Sequence, residues 1–273
     1  MALRAKKSLG QHFLRSKVAL TQIIDAAKLS ADDIVLEIGP GEGALTEGLL
    51  ATGARVVAVE TDARCIEVLN ERFSAFVKTK KFILLEGDIR NGAIQKKLFT
   101  KTYLGKDSYK LVANIPYYIT GMLFRLFLET LRQPSTIVFL IQKEVAEQIV
   151  ARDGKEGILS LAVKVFGTPR YVAKVKREAF SPPPKVDSAI IAIENISLLR
   201  LDGLTPEIYF RVVKAGLAAR RKMLLGNLRE LGIKKEILET IFHEQKIPLT
   251  ARGEDVDAKT WLTLATTLAL HLK

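Results

Sequence analysis

The stretch from Ile34 to Glu60 limits what this chain can fold into more than any other. Ile34-Val-Leu-Glu-Ile38 is an apolar run of the length of a buried parallel strand. It passes into Gly39-Pro-Gly-Glu-Gly-Ala44, a helix begins near Leu45, and a second apolar run, Arg55 to Val59, ends on Glu60. Strand, glycine-rich turn, helix and strand in this order open a doubly wound α/β sheet. Glycines in such a turn let a ligand approach the backbone, and a carboxylate at the tip of the next strand can accept both hydroxyls of a ribose. Gly39-x-Gly41-x-x-Ala44, with Glu60 about twenty residues on, fits a dinucleotide site. Glu37 just before the first glycine and Gly43 inside the loop look more like an S-adenosylmethionine site.

The alternation continues along the chain. A helix is expected at 62–76, a strand at 82–85 running into Glu86-Gly87-Asp88, a strand at 111–113, a helix at 120–131 and a strand at 135–141. Asp88 closes a strand at the edge where open α/β sheets bind ligands, so it is either an acceptor for an adenine amine or a turn cap. Helices at 143–150 and 157–166 and strands at 172–175 and 188–193 complete the series. Ahead of the sheet, Met1 to Leu14 is a basic arm that turns apolar at Phe13 and Leu14, which implies docking. A helix at 16–28 places Val18, Leu20, Ile23, Ile24 and Ala27 on one face. After Glu194 only helical patterns remain, which gives a first domain of residues 1–198 and a small helical domain of 199–273. Thr205-Pro206-Glu207 starts a helix that is read as carrying Arg220, Arg221 and Lys222, a candidate phosphate-binding cluster. Later helices are expected at 234–244 and 258–272.

Chemistry concentrates at Lys110 to Tyr118, where an apolar strand runs into Asn114-Ile-Pro-Tyr-Tyr118. The Asn114 side-chain oxygen and the Ile115 carbonyl, free ahead of a proline, can each accept one N–H of an exocyclic amine, while Tyr117 covers the face of a planar base. Phe180, held by Pro182-Pro-Pro184, is a candidate second aromatic for the same base. Taken alone, four such residues also fit a plain strand followed by a Pro-Tyr turn.

Composition narrows the partners. The 273 residues carry a net charge of +12, which suits a polyanion bound through phosphate contacts. One cysteine, Cys65, and three histidines offer neither a disulfide framework nor a metal cluster. The chain has no apolar run of membrane-spanning length and no signal-peptide core, so a cytosolic protein is expected.

Four segments together carry a resemblance: Gly10-Gln-His-Phe-Leu14, Glu37-Ile-Gly-Pro-Gly-Glu-Gly43, Asn114-Ile-Pro-Tyr117 and Phe180-Ser-Pro-Pro-Pro-Lys-Val-Asp-Ser188. In this order and at these separations the chain resembles the bacterial small-subunit ribosomal RNA adenine dimethyltransferase family over nearly its whole length. The resemblance implies a class I methyltransferase fold, Rossmann-like, with a helical C-terminal domain. It implies S-adenosylmethionine as cofactor and transfer of two methyls to N6 of each of two adjacent adenines near the 3′ end of that RNA, within an immature subunit and by a monomer. Cofactor contacts carried over by position are His12, Leu14, Gly39, Gly41, Glu60, Asp88 and Asn114; His12 stands where asparagine is frequent. Other readings account for less. An NAD oxidoreductase explains only the glycine loop, and a non-catalytic assembly factor explains only the charge. Methyltransferases of the macrolide-resistance type, acting on large-subunit RNA, share Asn-Ile-Pro-Tyr, but Gly10 and the Pro-Pro-Pro-Lys-Val-Asp-Ser run favour the small-subunit branch.

Overall fold

The structure is a computed structural model that describes residues 3–6 and 9–272; Met1, Ala2, Lys7 and Ser8 of the basic arm, and Lys273, lie outside it. Two compact units are present. The first runs up to Leu123 and includes Pro134–Ala146 and Arg170–Glu194; the second comprises Phe124–Gln133, Glu147–Pro169 and the chain from Asn195 onward.

In chain order the elements begin with β1 (Phe13–Leu14), α1 (Lys17–Ala27), β2 (Ile34–Ile38), α2 (Ala44–Ala51), β3 (Arg55–Glu60), α3 (Ala63–Arg72), α4 (Ser74–Lys78) and β4 (Phe82–Glu86). There follow α5 (Gly92–Leu98), β5 (Lys110–Asn114), α6 (Thr120–Leu128), β6 (Thr136–Gln142), α7 (Lys143–Val150), α8 (Ile158–Lys164), β7 (Thr168–Val175), β8 (Phe180–Ser181) and β9 (Ser188–Glu194). Seven strands form one sheet in the order β4-β3-β2-β5-β6-β9-β7. Strands β2 to β6 are parallel where they pair, and β9 runs antiparallel to β6. The near-continuous Val, Ile, Leu and Ala of the central strands are buried, as a sheet covered on both faces requires. In the parallel register Glu37 lies opposite Ala58 and Val112, and Asn114 opposite Leu140. The carboxyl ends of β2, β3, β4 and β5 therefore share one edge of the sheet.

Two expectations for this unit need correction, and one helix was not expected. In α1 the buried line is Ala19, Ile23, Ala26 and Ala27, and Val18 is 69% exposed. Ile23 and Ala27 of the expected face are buried, Leu20 and Ile24 pack against the core from its margin, and Val18 alone turns to solvent. The helix read at 62–76 is two helices that meet at Phe73, whose ring is buried against Phe82. Helix α5 was not expected; Asn91 caps it by accepting the Ala93 N–H at 2.8 Å.

The second unit adds α9 (Pro206–Gly216), α10 (Leu224–Leu228), α11 (Lys235–Glu244) and α12 (Ala258–Ala269). Thr205 caps α9, with Pro206 in the first turn. Tyr209, Phe242, Trp261 and Leu264 fill the core. Arg220, Arg221 and Lys222 are not on a helix, contrary to the sequence reading. A β-carbon on Gly216 would lie 2.4 Å from the Trp261 ring, so α9 ends in a close approach that only glycine permits. Asn227 Nδ2 donates to the carbonyls of Gly216 (2.8 Å) and Ala219 (3.1 Å), which fixes the turn carrying these three exposed cations.

Candidate active site

At the shared edge one cavity collects every side chain that the sequence assigned to cofactor or target. His12, Leu14, Gly39, Gly41, Glu60, Asp88, Asn114, Ile115, Tyr117 and Phe180 all line it. Glu60, at the tip of β3, is buried and works partly on backbone. Its Oε2 accepts the Gly41 N–H at 3.0 Å, and Oε1 accepts from Thr61 (2.7 Å) and Asp62 (2.9 Å). The carboxylate thus shapes the glycine loop while retaining acceptor capacity on Oε2. Gly39 has φ +66°, and a β-carbon there would meet nothing within 4 Å. The loop leaves open space where a side chain would otherwise stand, which fits a ligand laid against the backbone.

Behind the loop, Glu37 is fully buried and accepts the Thr46 hydroxyl at 2.7 Å. Burial pushes its carboxyl up to about 8; the Thr46 hydrogen bond opposes the shift and the Glu60 charge adds to it. A neutral Glu37 at pH 7 lets two carboxyls share one end of the sheet. Cys65 is buried and its thiol is raised to about 12, first by desolvation, which makes it packing and not a nucleophile.

The target side of the cavity is built by two distant segments. Leu14 pairs with Phe180 and Phe13 with Ser181 in an antiparallel β1–β8 ribbon, continued by the Arg15 N–H donating to Ala179 O at 2.7 Å. The apolar end of the basic arm is therefore a strand partner for the segment that carries Phe180. His12 Nδ1 contacts the Pro182 carbonyl at 2.7 Å, so that nitrogen carries the proton. The His12 ring lies near-parallel to Tyr117, with centroids 6.2 Å apart. Tyr117 is held from the other end by a 2.7 Å hydrogen bond between its hydroxyl and Ser188, and desolvation raises its phenol above the usual value. Asn114 Nδ2 donates to the His12 carbonyl at 3.2 Å. Only the amide nitrogen can donate to a carbonyl, so the orientation is fixed and Oδ1 is the acceptor left for a ligand.

Several participants went unread in the sequence. Asp88 accepts from Arg90 Nε (3.0 and 2.9 Å to its two oxygens), Arg90 Nη2 (2.6 Å) and the Arg90 N–H (2.8 Å), and this contact lowers its pKa. The same guanidinium lies 6.0 Å from the centre of the exposed Tyr118 ring. Asp62, two residues beyond Glu60, is a second buried carboxylate at the turn. Its only sequence signal was acidity at a helix start. Thr46 had none, because a hydroxyl on a largely apolar helix reads as filler, and Ser188 stood only as the last residue of the Phe180–Ser188 segment. Arg220, Arg221 and Lys222 lie in the other unit and do not line the cavity.

Comparison with known proteins agrees with this geometry. Residues 2–270 match the family model "Ribosomal RNA adenine dimethylase". The chain is 41% identical over 264 residues to the "Ribosomal RNA small subunit methyltransferase A" of Dehalococcoides mccartyi (strain CBDB1), covering 96% of this chain and 88% of that relative. Among solved structures, a dimethyladenosine transferase from Plasmodium falciparum superposes with a TM-score of 0.79 at 25% identity, covering 95% of this chain and 98% of the other. The 23S rRNA methyltransferase ErmE gives 0.75 at 26%, covering 94% and 99%. These matches set aside the dinucleotide reading of the glycine loop. With this sheet, this cavity and a match across nearly its whole length, the chain belongs to the ribosomal RNA adenine dimethylase family, whose reaction is S-adenosylmethionine-dependent methyl transfer to adenine.

Proposed function

We propose that the protein transfers two methyl groups to N6 of each of two adjacent adenines near the 3′ end of small-subunit ribosomal RNA, acting as a cytoplasmic monomer on an immature subunit. The small-subunit name of relatives at 35–41% identity supports this choice over the large-subunit alternative, represented by a structure at 26%. The observation that carries the reading is the fixed Asn114 amide, whose Nδ2 is taken by His12 O and whose Oδ1 faces no donor among the described residues.

Bound S-adenosylmethionine supplies a methyl group already activated by positive sulfur. Gly39, Gly41, Glu60 and Asp88, with His12 and Leu14 of the arm, hold it, Glu60 by a free lone pair of Oε2. An adenine amine is a poor nucleophile because its lone pair is delocalised into the ring. Asn114 Oδ1 and the Ile115 carbonyl each accept one of its N–H groups, which favours rehybridisation and aims the lone pair. Tyr117 and Phe180 cover the base faces once the nucleotide leaves its stack. After transfer the proton leaves to water, so no side chain need act as base. In the second round one N–H remains, and only one of the two acceptors is used.

Residues 1–198 form the methyltransferase domain in this reading, and Arg220, Arg221 and Lys222 of the 199–273 domain contact RNA phosphates. The test is incubation of immature subunits with enzyme and labelled cofactor, followed by mass spectrometry of the RNA. Dimethyladenine at two adjacent positions near the 3′ end is the expected product. Unmodified RNA, or a methyl group on another base, overturns the proposal.

A further inference from the structure

At the turn after β3 two carboxylates point to different tasks. Glu60 grips the glycine loop, while Asp62, with a side chain that is 0% exposed, grips the N-terminal arm and α3. Asp62 Oδ1 accepts from Lys6 Nζ (3.1 Å) and Arg64 Nε (3.1 Å), and Oδ2 accepts from Gln11 Nε2 (3.1 Å) and Arg64 Nη2 (2.6 Å). Arg64 Nη1 in turn donates to the Arg4 carbonyl at 3.1 Å, and the Gln11 side-chain oxygen accepts the Lys6 N–H at 2.8 Å. A helix cap needs one acceptor for one or two backbone N–H groups. Here the cap bond to the Arg64 N–H is the long one, 3.3 Å, and the remaining bonds go to side chains, two of them on the arm. A carboxylate this buried is costly unless paired, so the arm residues that satisfy it are held in place. Gln11 directly precedes His12, whose carbonyl orients the Asn114 amide and whose ring faces Tyr117.

We infer that Asp62 is a positioning residue: it latches the N-terminal arm across the cavity through Gln11 and Lys6, and so sets both the retention of cofactor and the aim of Asn114. The inference rests on reading this cavity as the methyl-transfer site. A latch differs from a cap in what its loss disturbs. Serine caps a helix about as well as aspartate but can reach neither Lys6 nor Gln11.

The test uses the full-length protein with Asp62→Ser and Gln11→Ala, singly and together. Hydrogen exchange of the backbone amides of residues 9–15 is followed, with S-adenosylhomocysteine binding by calorimetry and steady-state methylation of subunits. Asp62→Ser removes both arm bonds, to Lys6 and to Gln11, and is expected to speed exchange in the arm and weaken S-adenosylhomocysteine by about tenfold. The thermal midpoint and exchange in the central strands stay at wild-type values, KM for cofactor rises, and kcat falls. Because Gln11 and Asp62 share one bond, the double variant loses less than the product of the single losses. Wild-type arm exchange in Asp62→Ser overturns the latch, and so does faster exchange throughout the unit with a lowered midpoint, which would make Asp62 a cap alone. If Asn114→Ala keeps full activity while Asp62→Ser still frees the arm and weakens S-adenosylhomocysteine, the reading of Asn114 fails together with its aiming by the latch, and the hold of Asp62 on the arm and the cofactor stands.

Discussion

Asn114 Nδ2 donates to the backbone carbonyl of His12 at 3.2 Å, joining positions 102 residues apart in the chain. The bond turns an ambiguous amide into a directed acceptor, and it does so with an arm that the sheet itself does not contain. Two substitutions separate the parts. Asn114→Ala removes the acceptor, and a preorganised group at a reacting centre contributes about 2.7–4 kcal/mol, so single-turnover methylation is expected to fall roughly a hundred- to thousandfold. Asn114→Asp keeps acceptor oxygens but places one against the His12 carbonyl, and is expected to lose activity as well. An active Asn114→Asp enzyme would show that the His12 bond has no part in aiming the group.

Tyr117 is tied at both ends, by the near-parallel His12 ring and by Ser188. Tyr117→Phe loses only the hydroxyl bond, about 0.5–1.5 kcal/mol, and is expected to slow turnover by no more than about tenfold. Tyr117→Ala also loses the proposed stacking on the base, about 1–3 kcal/mol, and is expected to raise KM for the subunit. Titrating both variants with subunits separates the cases: equal KM values would remove the ring from base capture.

The parallel strands and the glycine loop were legible because a strand buried on both faces reads as an unbroken apolar run, and because glycine has few other reasons to recur at 39, 41 and 43. Asn114-Ile-Pro-Tyr117 was legible for a similar reason: its polar and aromatic groups sit where packing asks for none. The β1–β8 ribbon was not, since two-residue strands carry no period and their partners lie 166 residues apart, as for Leu14 and Phe180. Nor were the contacts of Asp62, whose acceptors meet Lys6 and Gln11 only after the fold brings the arm over the turn. The turn at Arg220 to Lys222 was misread as helix because α9 and α10 share one apolar pattern, and the break depends on a contact between Gly216 and Trp261.

Glu37 gives a pH signature. Its folded-state pKa of about 8 lies above the ordinary 4.5, so the native protein binds one more proton than the unfolded chain between these values. The associated stability is fully present below about pH 4.5 and is lost as pH rises through about 8. Glu37→Gln keeps an acceptor for Thr46 and carries no charge. Urea denaturation from pH 5 to 9 is expected to show a wild-type decline that is shallower in Glu37→Gln. Parallel curves would mean that Glu37 is ionised in the folded protein throughout.

Arg220, Arg221 and Lys222 extend from an exposed turn, and the phosphate reading makes a distinct demand on them. Changing all three to Ala is expected to weaken subunit binding and to lower the slope of log K against log salt by up to about 2–3, one lost phosphate contact per residue. Affinity for S-adenosylhomocysteine is expected to stay constant. A salt slope equal to wild type would leave these residues as a solvated turn.

Arg90 presents the opposite case, a residue whose removal is expected to help. Asp88 is the proposed acceptor for the adenine amine of the cofactor, yet both its oxygens are engaged by the Arg90 side chain at 2.6–3.0 Å. Binding through Asp88 competes with that grip. The pair is half-exposed, with side chains 52% and 36% accessible, so the competition is worth only about 0.2–1 kcal/mol. Arg90→Ala is therefore expected to tighten S-adenosylhomocysteine by up to about fivefold, measured by calorimetry at fixed ionic strength. The gain must vanish in an Asp88→Ala background, because the residue that Arg90 masks is then gone. Arg90→Ala also uncovers the Tyr118 ring, and any change in subunit KM reports that second contact separately. Weaker binding in Arg90→Ala would mean that the guanidinium holds Asp88 ready for the cofactor and does not compete with it.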